Sequence, residues 1–173
     1  MNLIITSSRH LEPEAADEIR EILTDLGDNE PKVEISDLSG IIIVTTSLDP
    51  FTVVRKIREK ILDEPWSIRY CLRIIPIQET VNTEKENIVS ALLNHVNLIG
   101  PQDTYRITVE KRNFTISTDE IISEIADNIQ NKVSLEKFDW LVLVEILGNK
   151  TGISVLKEDD VISAQKLKRS LSE

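Results

Sequence analysis

Lys111, Arg112 and Asn113 are three consecutive polar residues, two of them cationic, standing where a strand pattern gives way to a helix pattern. Such a group captures an anion and makes no bonds, because it supplies charge and hydrogen-bond donors but no nucleophile. Upstream, Tyr105, Ile107 and Val109 alternate with Arg106, Thr108 and Glu110, the period of a strand with one buried face. Downstream, Ser117 and Glu120 have capping-box spacing, and Ile121, Ile122, Ile125 and Ile129 recur on one helical face. If the strand predicted from Trp140 to Leu147 pairs parallel to the first, this loop falls at the carboxyl end of the sheet. It then lies beside a helix N-terminus whose free N–H groups favour a phosphate. Asp119 and Glu120 in that first turn repel an anion placed over the axis, so it is expected to one side, held by Lys111 and Arg112. Phe114 is the neighbouring candidate for stacking on a base. The competing reading is a solvated loop.

A second cationic pair, Arg69 and Arg73, shares one side of a strand predicted over Ile68 to Ile75, with the two residues about 13 Å apart at strand rise. They either meet a nucleic-acid backbone from the open face of a sheet or pair with acidic neighbours. Other chemistry is sparse. Cys71 is the only cysteine and the histidines are two, His10 and His95, too few for a convincing metal site, so none is expected. His95 lies by an apolar stripe and reads as structural.

The 173 residues carry a net charge of −10, which opposes binding to a polyanion except through a local basic patch. Ile, Leu and Val dominate a hydrophobic fraction of 40%, and 5 Gly and 6 Pro argue against extensive disorder. No stretch has the roughly 20 apolar residues of a membrane span, and the N-terminus lacks a signal-peptide pattern, so a cytoplasmic protein is expected.

The elements that position these residues read in order. A strand at Leu3–Thr6 leads to a helix opened by Pro13, with Ala15, Ile19, Ile22 and Leu23 inward and Gly27 and Asp28 at its end. Strands at Val33–Leu38 and Ile41–Thr46 follow, then a helix begun by Asp49 and Pro50 and stopped by Pro65, then the strand bearing Arg69 and Arg73. Strand, helix, strand, strand, helix, strand is the order of a ferredoxin-like unit. Pro76–Asn82 reads as a junction, and Thr83 with Glu86 as the capping box of the next helix. The near-continuous apolar run from Leu141 is a central strand, and Ile153–Leu156 the returning edge. The predicted organisation is a ferredoxin-like domain over residues 1–80, a second α/β domain over 81–160, and a tail over 161–173 made basic by Lys166, Lys168 and Arg169.

TSSRHLEPEAADEI at 6–19, RYCLRIIPI at 69–77, YRITVEKRN at 105–113, STDEIISEIADNI at 117–129 and WLVLVEILGNKTGISVL at 140–156 together resemble the THUMP domain preceded by its ferredoxin-like companion. The resemblance implies a grip on the acceptor end of tRNA, with contacts at Arg73, Lys111, Arg112, Asn113, Lys150 in the GNKTG turn and, more weakly, Lys132. The sequence shows no methyl-donor or dinucleotide loop, no pyrophosphatase P-loop and no deaminase motif pair. It therefore resembles most the stand-alone THUMP proteins that act without a cofactor beside a separate tRNA cytidine acetyltransferase. On this reading it is a non-enzymatic adapter with tRNA and that enzyme as partners. Two alternatives stay open: a THUMP subunit serving methylation or thiolation, and a protein-binding module without RNA affinity. The sequence does not decide the oligomeric state.

Overall fold

A computed structural model describes residues 1–173, which form two compact units: Met1–Ile77 with Asp159–Glu173, and Gln78–Glu158.

In the first unit, β1 (Leu3–Thr6), α1 (Glu12–Asp25), β2 (Lys32–Ile35), β3 (Ile41–Thr45), α2 (Pro50–Asp63) and β4 (Arg73–Pro76) follow the expected ferredoxin-like order. The strands lie antiparallel as β2-β3-β1-β4, the interleaved arrangement of two βαβ halves. Leu3, Ile5, Ile42, Val44 and Ile74 face Ala15, Ile19 and Leu23 of α1 and Val53, Ile57 and Ile61 of α2 in one core. Asp49 caps α2 by accepting from the Thr52 N–H at 2.9 Å, with Pro50 opening the first turn. Gly40 turns the β2–β3 connection at φ 75°, where a Cβ would stand 2.7 Å from the Ser7 carbonyl oxygen. Only glycine fits there.

The C-terminal segment, expected as a basic tail, joins this unit instead. Ile162–Ser163 (β9) pairs with Arg73 and Ile74 at the β4 edge, and Ala164–Ser170 (α5) follows it, with Ile162 and Ala164 buried in the core. β9 stops short of Pro76, which has no N–H to offer a neighbour.

The strand expected from Ile68 begins only at Arg73. Its first half is diverted because the Glu18 carboxylate of α1 accepts the backbone N–H groups of Arg69, Tyr70 and Cys71 at 3.0 to 3.2 Å. Three successive amides wrapped on one anion leave nothing for a ladder.

In the second unit, β5 (Glu79–Asn82), α3 (Lys85–Leu93), β6 (Tyr105–Arg112), α4 (Thr118–Asp127), β7 (Trp140–Leu147) and β8 (Lys150–Leu156) build a four-stranded sheet ordered β5-β8-β7-β6. β6 and β7 are parallel, as the expected phosphate geometry requires, and the other pairs are antiparallel. Val142, Val144, Ile146, Ile153 and Val155 pack on Ile88, Leu92, Ile121 and Ile125 of the two helices. Ser117 caps α4, its hydroxyl accepting from the Glu120 N–H at 3.3 Å. Two expectations are corrected. β8 is interior and the short polar β5, read as a junction, is the edge. The Thr83 capping box does not form: the Thr83 hydroxyl is buried, donates to the Gly148 carbonyl at 2.9 Å and lies 2.8 Å from the Thr151 hydroxyl, leaving Glu84 at the N-cap.

Candidate nucleic-acid interface

Arg112, Leu147, Lys150 and Asn82 occupy one row across all four strands of the second unit, at the carboxyl end of the parallel pair. With strands about 4.8 Å apart, the backbones at Arg112 and Lys150 are separated by roughly 10 Å. Lys111 precedes the row and Asn113 follows it, turning the chain at φ 52° toward α4. Four of the expected contact residues, Lys111, Arg112, Asn113 and Lys150, thus share one end of one sheet.

The KRN segment is not a free loop, since β6 runs through Arg112. Strand alternation sends Lys111 and Arg112 to opposite faces, so they do not clamp one anion together. Arg112 lies on the face of Glu145, where its Nη1 is 3.2 Å from the Glu145 Oε2 of a fully buried side chain. The Gly148 N–H bonds the Arg112 carbonyl at 2.9 Å and ties the strand end to the β7–β8 turn. Lys111, exposed on the other face, donates from Nζ to the Ile116 carbonyl at 3.1 Å. Lys150 donates to Asn82 Oδ1 at 2.7 Å, and both are exposed. Lys111 and Lys150 are therefore the cations an incoming phosphate recruits at least cost, each exchanging one neutral acceptor for a charged one. Arg112 already serves a buried carboxylate.

The charge on α4 confines the approach. Asp119, Glu120, Glu124 and Asp127 line a shallow groove of about 540 Å³ relieved only by Lys85, whose Nζ pairs with Glu124 at 3.2 Å. An anion is repelled there and directed toward the row of Lys150 and Arg112.

The remaining expected residues lie elsewhere. Lys132 is exposed at the start of β6, where its carbonyl accepts from Tyr105 N–H at 3.1 Å, about 23 Å along the strand from Arg112. Arg73 and Arg69 belong to the first unit. Arg73 is half-buried on the face of β4 away from the helices, whereas Arg69 lies outside the strand with its guanidinium 5.8 Å from the Tyr70 ring centre. The two arginines do not share a strand face, because the Glu18 contact takes residues 69–71 out of the sheet.

Sequence reading missed a polar groove of about 410 Å³ between β5 and α3, lined by Glu79, Asn82, Asn87, Ser90, Asn94 and Lys150 among others. Asn87, Ser90 and Asn94 recur at i, i+3 and i+7, the one available signal. His95, beside this groove, holds Glu79 Oε2 at 3.1 Å, the structural role expected of it. Cys71 is buried and its thiol pKa is raised far above the ordinary range by desolvation and the neighbouring Glu18, so it stays an inert thiol. No three His, Cys, Asp or Glu side chains gather to hold a metal ion, and no helix is long and apolar enough to cross a membrane.

Several solved structures share the fold. PH1313 from Pyrococcus horikoshii superimposes with a TM-score of 0.68 at 19% identity, over 91% of this chain and 55% of that one. TrmN from Thermus thermophilus gives 0.58 at 14%, over 88% and 44%. A 4-thiouridine synthetase in complex with RNA and bound ATP gives 0.54 at 13%, over 91% and 42%. The chain thus spans about half the length of these proteins. No curated protein matches it in sequence. The family model of the THUMP domain matches residues 87–156, from the first turn of α3 to the end of β8, so the unit carrying Lys111, Arg112, Asn113 and Lys150 has the sequence pattern of a THUMP domain.

Proposed function

We propose that this protein binds tRNA through its second unit and presents it to a separate modifying enzyme, a cytidine acetyltransferase. The observation that carries the reading is a coincidence: the THUMP match at residues 87–156 covers the sheet end where Lys111, Asn113 and Lys150 stand together. The similar fold of a 4-thiouridine synthetase crystallised with RNA adds support for RNA as the ligand. In this reading the protein does no chemistry. Holding tRNA against an enzyme turns a bimolecular encounter into one within a complex, which lowers the apparent Michaelis constant for tRNA. The acetyltransferase is the partner that the sequence resemblance implies. Two structural neighbours, TrmN and the thiouridine synthetase, favour a second reading in which the enzyme served is a methyltransferase or a thiolation enzyme.

Mass spectrometry of tRNA nucleosides from a deletion strain separates these. Loss of acetylcytidine alone is the expected result; unchanged acetylcytidine with a methylated or thiolated nucleoside missing establishes the second reading.

A further inference from the structure

β2 (Lys32–Ile35) ends the sheet of the first unit, and its outer edge is open. In the antiparallel ladder with β3, the Ser36 N–H bonds the Ile41 carbonyl at 3.0 Å. Glu34 and Lys32, in step with Ser36, therefore also aim their backbone groups at β3, and Val33 and Ile35 aim theirs outward, where they have no strand to pair with. The other edges offer less. β9 has two residues, and Tyr105 at the start of β6 is already bonded by Lys132 and Ser134. An open edge of this kind is a template for another strand.

The side chains select the occupant. Val33 packs toward the helices, and Ile35, on the same side, is 46% exposed. Lys32 and Glu34 are exposed on the opposite face without an ion-pair partner, and the β3 residues beside them, Thr45 and Ile43, are uncharged. A second copy of β2 can pair antiparallel across a two-fold axis in four registers. An axis through Lys32 or through Glu34 sets like charges face to face, and one through Ile35 runs Val33 past the end of the strand. An axis through Val33 sets Lys32 of each copy against Glu34 of the other, twice, at non-hydrogen-bonded positions where side chains stand closest. The two Val33 residues then exchange a pair of backbone hydrogen bonds, and each Ile35 N–H reaches the Pro31 carbonyl of the other copy. The exposed Ile35 side chain is covered by that proline. Glu30 and Asp37 fall opposite Ser36 and Asn29, so no two carboxylates meet across the axis. Charges on an edge strand normally keep other strands away. Lys32 and Glu34 do so against a strand that lacks the matching order and admit one that carries it.

We infer that β2 is a self-association edge, joining the five-stranded sheets of two copies about a two-fold axis through Val33, with Lys32 of each copy paired to Glu34 of the other. This does not depend on the RNA-binding function proposed above.

A contact four residues long is small, so the dimer is weak and forms with concentration. Sedimentation equilibrium of the full chain from about 10 μM to about 1 mM should show a monomer–dimer equilibrium. Over the same range, amide hydrogen exchange at Val33 and Ile35 should slow. Lys32→Glu and Glu34→Lys, both at exposed positions, should each melt with the parent. Each should dimerise about tenfold more weakly or worse, because both cross-strand pairs turn repulsive. Mixed in equal amounts, the two variants should associate with each other, since every pair across the axis is then of opposite charge. The double variant Lys32→Glu/Glu34→Lys restores a complementary order and should dimerise like the parent; it and the exchange data carry the test if a single reversal lowers the melting temperature. A chain that stays monomeric to the highest concentration overturns the inference. A dimer indifferent to the single reversals, one that the mixture does not restore, or one that leaves exchange at Val33 and Ile35 unchanged uses another surface and overturns it as well.

Discussion

Arg112→Ala should cost stability, whatever it does to RNA. The guanidinium lies 3.2 Å from Glu145 Oε2, with the Arg112 side chain 30% exposed and the glutamate side chain fully buried. Removing one member of a buried pair strands the other charge and typically costs about 3 to 5 kcal/mol. The partial exposure of Arg112 and the further contacts of Glu145 bring the expected loss below that range, to about 2 to 3 kcal/mol. For a unit the size of Gln78–Glu158, that corresponds to a fall in melting temperature of roughly 8 to 24 °C. The assay is urea and thermal unfolding of Arg112→Ala, Glu145→Leu and the double variant Arg112→Met/Glu145→Leu. Replacing the pair by apolar side chains removes the desolvation of both charges, so the double variant should recover to within about 1 kcal/mol of the parent. An Arg112→Ala protein that melts within about 2 °C of the parent, where a lost kilocalorie moves the midpoint by several degrees, refutes the structural assignment and returns Arg112 to the RNA surface.

Lys111→Ala and Lys150→Ala should each weaken tRNA binding and lower the log–log salt slope by about 0.7 to 0.9 without changing the melting temperature, as checked by filter binding at several salt concentrations. Gly40→Ala should destabilise the first unit by about 1 to 3 kcal/mol, because its φ is 75° and a Cβ meets the Ser7 carbonyl oxygen at 2.7 Å; urea unfolding reads this. Asp28 is buried, and its pKa is lowered by hydrogen bonds, first from the Thr46 hydroxyl at 2.6 Å and then from the Ser47 and Glu30 N–H groups. A depressed carboxylate pKa means that this contribution is complete above the unfolded value near 3.8 and is lost as pH falls through the lower folded value. Asp28→Asn should therefore flatten the acid limb of the stability profile, measured by urea unfolding between about pH 2 and 7.

Local pattern carried much of the fold. The alternation at Tyr105–Val109, the Ser117 cap and the Asp49–Pro50 helix start are each written within a few residues, and each forms as read. What the sequence hid depends on distant partners. Glu18 takes residues 69–71 out of a convincing strand pattern from 51 residues away, and β5 becomes an edge only because β8 lies beside it. The last residues pack in the first unit through Ile162 and Ala164, too short an apolar signal to distinguish from a tail. At the candidate interface, the residue types were legible but their directions were not. Extending β6 by two residues puts Lys111 and Arg112 on opposite faces, and the pairing of Arg112 with Glu145 needs the β6–β7 register. The row joining Arg112 to Lys150 also exists only through that register.

We propose that the second unit grips tRNA near its acceptor end, as the sequence resemblance implies. The most direct test compares binding of intact tRNA with the same tRNA shortened at that end, across a salt series, for the parent and the Lys111→Ala/Lys150→Ala variant. Intact tRNA should bind more tightly than the shortened form, with a log–log salt slope of about −2 to −3 for roughly three phosphate contacts, and the double variant should lose that preference. Equal affinity for both tRNAs, or binding indifferent to salt, contradicts the claim.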